Sequence, residues 1–305
     1  MFDIAALERF CKDIGCEYLK NEPMSRHTTF KIGGPAELFA LPASADMLVR
    51  LLQKCRELGA AVTVVGKGSN LLVSDEGIEG CVICIGQKMA EIRLENDHVV
   101  CSAGTSLAEL CKFAEEHSLA GLEFAYGIPG SVGGAVYMNA GAYGGEMKDV
   151  VAFARHISAD GAAGEITAEE LDFGYRKSAY TGSDKIIVEA GFRLTKGDRA
   201  EIRSRMDELL GRRKDKQPLE YPSAGSVFKR PEGAFAGALI EGCGFKGKGV
   251  GGAMVSPKHA GFIVNAGGAT CRDVEELVLQ IRQKVKAETG YDLECEIKRI
   301  GKPRQ

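Results

Sequence analysis

Two stretches of the chain are nearly bare of side chains. Residues 127–145 read GIPGSVGGAVYMNAGAYGG, with seven glycines, and residues 66–70 read GKGSN. Backbone without Cβ atoms can lie against a flat or highly charged ligand at van der Waals distance, with its N–H groups unobstructed. Short polar side chains stand among the glycines. Ser69 and Asn70 in the first stretch, and Ser131 and Asn139 in the second, suit phosphate oxygens or ring edges. Two such loops can close on a diphosphate from either side, whereas a packed surface Ω-loop has the same composition without a ligand. The longer stretch is expected to be neither regular helix nor strand.

Other patterns are weaker. Gly66-x-Gly68 opens like a dinucleotide turn, but Ser69 to Asp75 leave no room for the helix that must follow. GCGFKGKGV (242–250) approaches a phosphate-binding P-loop, yet Gly249 stands where the magnesium-binding hydroxyl is required. The five histidines show no metal-ligand spacing, and none lies in the glycine loops, so neither a metal nor a histidyl-linked flavin is expected. Tyr175, Arg176 and Lys177 in DFGYRKSAY make, taken alone, a solvated charged turn. In YPSAGSVFKRP, Ser226 follows an Ala-Gly pair, with Lys229 and Arg230 placed to grip phosphates. No local acid or histidine activates Ser226, which argues against a conventional nucleophile. Alternation in YDLECEIKRIG sets Glu294, Glu296 and Lys298 on one face, which alone reads as the solvated side of a strand.

The elements that must hold these residues alternate between short strands and helices. A strand at 36–42 precedes a helix capped by Ser44, and runs at 60–66, 70–74 and 81–86 read as strands. A hairpin turns on Asn96-Asp97, and a helix over TSLAELCKFAEEHSLAG leads into the long glycine stretch, with Gly121 as its stop signal. Two strand-like runs fill 151–195. Asp198 and Glu201 then have capping-box spacing before a helix that Pro218 ends. Strands near GSVFKR and AGFIVN, a helix over 270–289 and a final strand at YDLECEIKRIG complete the chain.

At 305 residues there is length for two domains, and a net charge of −3 offers no global field for nucleic acid or anionic membranes. No run is apolar enough to span a bilayer, and MFDIAALERFCKDIG lacks the basic start of a secretion signal. A cytoplasmic protein is expected, its ten cysteines reduced and buried, with Cys81 and Cys84 pointing to opposite faces of a strand.

In this order, TTFKIGGPAELFALP, VVGKGSNLLVSDEGIEG, GIPGSVGGAVYMNAGAYGGEM, DFGYRKSAY, PSAGSVFKRPEG, VGGAMVSPKHAGFIVN and LECEIKRIG resemble the motifs of the UDP-N-acetylenolpyruvoylglucosamine reductase family, over about residues 25 to 301. The resemblance implies an α+β protein: a helical segment at 1–28, a vanillyl-alcohol oxidase or PCMH-type FAD-binding domain of two α+β halves at 29–197, and an α+β substrate-binding domain at 198–305. It implies FAD held by Gly66, Lys67, Gly68, Ser69, Asn70 and Leu71, and by Tyr126, Gly127, Ile128, Pro129, Gly130, Ser131, Gly133, Gly134, Asn139, Gly141 and Ala142. NADPH would reduce FAD and leave. A UDP-sugar enolpyruvyl ether would then take hydride from flavin N5, in the synthesis of a cell-wall precursor needed for cell shape and division.

By motif, Arg176 and Glu296 would stabilise the charge that develops on the substrate carboxylate, and Ser226 would donate the completing proton. Lys229 and Arg230 would meet the diphosphate, with Tyr175 near the sugar. About fifty residues separate Arg176 from Ser226, which matches the shorter branch of the family, without the insertion whose tyrosine closes over substrate. No metal, nucleic acid or membrane partner is implied, and a monomer is compatible. Two alternatives stay open: another flavin oxidoreductase on the same fold, and a nucleotide-sugar binding protein without redox function.

Overall fold

The computed structural model describes residues 2–303. Its residues pack into two compact units. The first takes the chain through Lys20 with Leu38–Lys67 and Gly80–Arg213, and the second takes Asn21–Glu37, Gly68–Glu79 and the chain from Lys214 onward. This division differs from the expected boundaries near residues 28 and 197. The chain changes unit inside the strands Glu17–Pro23, Pro35–Leu41 and Ile78–Cys84, and inside the helix Arg199–Lys216. No composition shift marks such a point, because a regular element runs straight through it. Within residues 1–28, helix Ile4–Asp13 is followed by the strand Glu17–Pro23.

In the first unit, Ser44 caps the helix Ala45–Leu58 by accepting from the Met47 N–H at 3.1 Å, and Gly59 ends it at φ +65°. This helix buries Leu48, Leu51, Leu52 and Cys55, and the strand Val62–Val65 pairs in parallel with residues 81–84 of the strand Ile78–Cys84. The larger half is a five-stranded antiparallel sheet in the order Ala163–Thr167, Val151–Ile157, Ile186–Phe192, His98–Ser102, Ile92–Glu95. The hairpin between the last two turns on Asn96, whose φ of +53° is one that asparagine tolerates. Helix Leu107–Glu116, begun by a Ser106–Glu109 capping box and already ended at His117, joins one core with the sheet through Leu107, Leu110, Val99, Cys101, Ala190 and Phe192.

Within the bare stretch itself lies a short helix, Val132–Tyr137, against the expectation of irregular backbone. Its Val132, Ala135 and Val136 are buried at helical spacing, so burial outweighs the helix-breaking tendency of Gly133 and Gly134.

The second unit has a separate core around Phe30, Ile32, Val227, Phe228, Val255, Ile263 and the inward face of helix Cys271–Thr289. That helix starts in a Thr270–Asp273 capping box, and the Asp75 carboxylate accepts from the Cys271 and Arg272 N–H groups at 2.8 and 3.0 Å. Four strands pair antiparallel in the order Ser223–Ser226, Phe262–Asn265, Ala253–Val255, Gly249–Val250, and Lys298–Ile300 pairs in parallel with Leu71–Val73. The expected long last strand is therefore regular only over Lys298–Ile300. Upstream, Cys295 makes a single bridge to Phe228.

Candidate active site

In the first unit Gly66 of the shorter glycine stretch meets the longer one. A Cβ on Gly66 would collide with Ser131 Oγ, and Ser131 is 3% exposed. Strand-like bonds fix the loop there: Leu107 N–H donates to the Gly130 carbonyl at 3.1 Å, and Val132 N–H to the Thr105 carbonyl at 2.9 Å. Gly133 N–H donates to Ala103 at 2.9 Å, and a Cβ on Gly133 would stand 2.8 Å from the Ala103 Cβ. Glycine at 66 and 133 therefore serves close packing within the protein. Other positions leave open backbone. Gly134 is exposed, and at Gly144 a Cβ would meet nothing within 4 Å, although its φ of +90° disfavours one.

The exposed Lys67 follows Gly66 in sequence, and Arg213 lies beside the longer stretch in space: a Cβ on Gly127 would come within 3.1 Å of Arg213 Cδ. Arg213 Nε is buried without a hydrogen-bond partner among the described residues, and burial holds its guanidinium below the ordinary value, with Tyr143 opposing. Bare backbone, short hydroxyls and two cations suit a flat, anionic dinucleotide, so the residues present fit FAD. Arg213 is not among the residues singled out from the sequence. The missed signal is its position on the buried stripe Ile202, Met206, Leu209, where an apolar residue would be expected next.

Arg176 sits in a tight turn in which Gly174 N–H donates to the Lys177 carbonyl at 3.1 Å, and its own φ is +57°. Its guanidinium lies 5.0 Å from the Tyr175 ring centre, and Tyr175 is 51% exposed. One buried side chain ties this turn to the glycine stretch. Asn139, 1% exposed, donates from Nδ2 to the Gly174 carbonyl at 3.1 Å and to Glu146 Oε2 at 3.0 Å, and its Oδ1 accepts from Lys148 N–H at 2.9 Å. The Lys148 ammonium, 2.8 Å away, holds the Glu146 carboxyl below the usual range against burial, with help from Asn139 and from the charge of Arg176. Gly141 and Ala142 pair with Glu146 and Gly145 in a two-residue hairpin.

In the second unit, Ser226, Glu296 and Asn70 converge through main-chain bonds. Glu296 N–H donates to the Val227 carbonyl at 2.7 Å, Lys229 N–H to Glu294 at 2.8 Å, and Lys298 N–H to Asn70 at 2.8 Å. The Asn70 amide donates to the Glu296 carbonyl at 3.3 Å. Gly225, at φ +79°, sits in a bulge between Ser223 and Ser226, which re-aims the serine. Gly68 is held by its own backbone: a Cβ there would collide with the His27 carbonyl. Lys229 pairs with Glu294, and the Arg230 guanidinium lies 4.0 Å from the ring centre of the exposed Phe235. Among the described residues no cluster of His, Cys, Asp or Glu is arranged to hold a metal, no cysteine is paired, and no helix is long and apolar enough to cross a membrane.

Comparison with known proteins bears on this arrangement. The family profile described as "FAD binding domain" matches residues 36–167, and that described as "UDP-N-acetylenolpyruvoylglucosamine reductase, C-terminal domain" matches residues 217–300. Proteins named UDP-N-acetylenolpyruvoylglucosamine reductase are similar over nearly the whole chain. The one from Syntrophomonas wolfei is 50% identical, covering 92% of this chain and 94% of its own, and the one from Heliobacterium modesticaldum is 47% identical, covering 97% and 94%. The crystal structure of UDP-N-acetylenolpyruvylglucosamine reductase from Thermus caldophilus aligns with a TM-score of 0.78 at 38% identity, over 93% of this chain and 98% of that one. An alkyldihydroxyacetonephosphate synthase aligns at a TM-score of 0.50 and 16% identity, over 64% of this chain and 41% of its own, a likeness of fold alone.

Proposed function

The chain belongs to the UDP-N-acetylenolpyruvoylglucosamine reductase family, and we propose that Arg176, Ser226 and Glu296 perform the protein's share of that reaction. The enzyme is an FAD-dependent oxidoreductase, UDP-N-acetylmuramate dehydrogenase. With NADPH as reductant, it converts UDP-N-acetylenolpyruvoylglucosamine to UDP-N-acetylmuramate in peptidoglycan synthesis. FAD, when bound, supplies the hydride that adds to the distal alkene carbon.

Hydride addition leaves negative charge on the carbon bearing the carboxylate and on the carboxylate itself. In our reading, the roles of Arg176 and the Glu296 carboxyl are to stabilise that charge, and Ser226 Oγ–H donates the proton that completes the saturated side chain. A hydroxyl is a weak acid, but an enolate-like carbanion is basic enough to take its proton. The observation that carries this reading is the main-chain bond from Glu296 to Val227, 2.7 Å long, which locks a carboxyl-bearing residue beside the strand ending in Ser226. Neither group is a conventional nucleophile with a base, so the pair suits proton delivery and charge stabilisation rather than covalent catalysis.

The same reading gives FAD to residues 66–71 and to the 126–142 stretch apart from the Asn139 side chain, whose bonds are all made within the protein, and Lys67 and Ser131 would face its diphosphate. It gives the diphosphate of the UDP-sugar to Lys229 and Arg230, and the sugar to Tyr175. The chain is of the shorter branch: helix Arg199–Lys216 occupies much of the stretch between Arg176 and Ser226, where longer relatives carry a tyrosine loop. We place the enzyme in the cytoplasm, where NADPH and nucleotide sugars are found, and take one chain as the working unit.

The test is anaerobic stopped-flow. Protein reduced by NADPH and mixed with the enolpyruvyl sugar nucleotide is expected to reoxidise within its turnover time. A protein that purifies colourless and binds the nucleotide sugar without redox change would support a binding role instead. One that reoxidises only with other acceptors would be another oxidoreductase on this fold.

A further inference from the structure

Asn139 stands in the glycine stretch like a ligand-facing residue, yet its side chain has no capacity left for a ligand. Both Nδ2 protons are donated, to Gly174 and Glu146, its carbonyl oxygen accepts from Lys148, and the residue is 1% exposed. We propose that Asn139 is a positioning residue for Arg176, joining the end of helix Val132–Tyr137 to the turn that carries the guanidinium. This inference rests on the role given to Arg176 above.

The geometry supports it at three points. Asn139 has φ +44°, and the following Ala140 N–H donates to the Ala135 carbonyl at 2.8 Å, so Asn139 is the left-handed residue that stops the helix. Asparagine is the residue with a side chain that best tolerates this conformation, which anchors the amide to the backbone of the glycine stretch. The carbonyl it grips belongs to Gly174, two residues before Arg176, whose own φ of +57° is a conformation that needs support from its surroundings. Ser178 Oγ donates to the Tyr137 carbonyl at 2.9 Å, so both ends of the turn are tied to the same helix terminus. Glu146 completes the device. Its Oε2 accepts from both Asn139 Nδ2 and Lys148 Nζ, fixing which way the asparagine amide faces. A guanidinium that must meet a developing carboxylate charge depends on such support, because a displacement of about 1 Å can cost about a hundredfold in rate.

Asn139→Gly is the informative change, since it keeps the left-handed backbone and deletes only the amide. The expected result is reoxidation by substrate slowed by about ten- to a hundredfold, with FAD retention and reduction by NADPH unchanged. The decisive readout is a cycle with Arg176→Ala: if Asn139 acts through Arg176, the Asn139→Gly effect largely disappears in the Arg176→Ala background. Should Asn139→Gly fold poorly, Glu146→Ala and Glu146→Gln carry the same test, and the glutamine, which can still accept from the amide, is expected to react several-fold faster than the alanine. Loss of FAD from Asn139→Gly would overturn the inference and return this residue to the cofactor, as would equal penalties with and without Arg176. If Arg176→Ala itself leaves reoxidation at the normal rate, the role given to Arg176 is what fails.

Discussion

The turn that carries Arg176 and the strands that carry Ser226 and Glu296 are held by different kinds of bond. Around Arg176 the decisive links run through side chains, from Asn139 Nδ2 to Gly174 and from Ser178 Oγ to Tyr137. Around Ser226 and Glu296 they run through main chain, from Glu296 to Val227, Lys229 to Glu294 and Lys298 to Asn70. Main-chain bonds survive almost any side-chain change, whereas a buried amide that loses its partner leaves an unsatisfied group costing about 1–3 kcal/mol. Substitutions in the second region should therefore report chemistry cleanly. Those around the first mix chemistry with placement, and only a mutant cycle separates the two.

The sharpest use of this contrast is Ser226→Ala. Its backbone ladder stays intact, so reduction by NADPH should be near normal while reoxidation by substrate slows by about 10²- to 10⁴-fold, the usual worth of a positioned proton donor. Normal rates in both half-reactions would remove Ser226 from the proton path. Glu296→Gln keeps the same main-chain bonds and nearly the same shape. It should slow the same half-reaction by about 10²-fold, as expected for loss of one group aimed at developing charge. An effect confined to FAD retention would make Glu296 structural and erase the distinction drawn between the regions.

Smaller effects are expected at the cations behind Ser226. Glu294 competes with any phosphate for Lys229, and an exposed pair of this kind is worth about 0.2–1 kcal/mol. Glu294→Gln should therefore lower KM for the UDP-sugar by up to about fivefold with kcat unchanged, and Lys229→Ala should raise it. Steady-state kinetics at low salt decides this. Opposite signs would assign the diphosphate elsewhere.

What could be read in advance follows the same division between local and distant causes. Ser44, Asp198 and Asn96 act within a few residues of themselves, so their caps and their turn are visible as sequence patterns. Ser226 and Glu296 entered through motif resemblance, and the main-chain bonds that place them together join segments far apart in the chain. The role of Asn139 was hidden for that reason: one of its partners is Gly174, 35 residues away, and nothing in the sequence distinguishes an amide turned inward from one turned to a ligand. The helix Val132–Tyr137 was hidden because local glycine content argues against it, and only burial of Val132, Ala135 and Val136 reverses that argument. The unit boundaries escaped because segments 21–37 and 68–79 pack with residues far beyond them.

The smallest expected effect compares the two cores through pH. His156 is 5% exposed beside Tyr180, 3.1 Å from its hydroxyl, and burial, with Lys185, lowers its pKa from 6.5. In the second unit burial likewise lowers the pKa of His259, and its Nδ1 accepts from Gly261 N–H at 3.0 Å, a bond the protonated ring cannot accept. A histidine whose folded pKa lies below its unfolded value binds fewer protons folded than unfolded. Its contribution is thus intact above about pH 6.5 and is lost as pH falls toward the folded pKa, at no more than about 1.4 kcal/mol per pH unit. Carboxylates act lower. Glu189 is pushed up by burial but pulled further down by Arg93 and Arg155, so its contribution is kept above its unfolded value of 4.5 and lost only below it. Melting temperature should therefore fall between pH 7 and 5.5, before any carboxylate responds. His156→Gln and His259→Gln should each flatten that fall, and a slope unchanged in both variants would mean that neither ring is held neutral by its core.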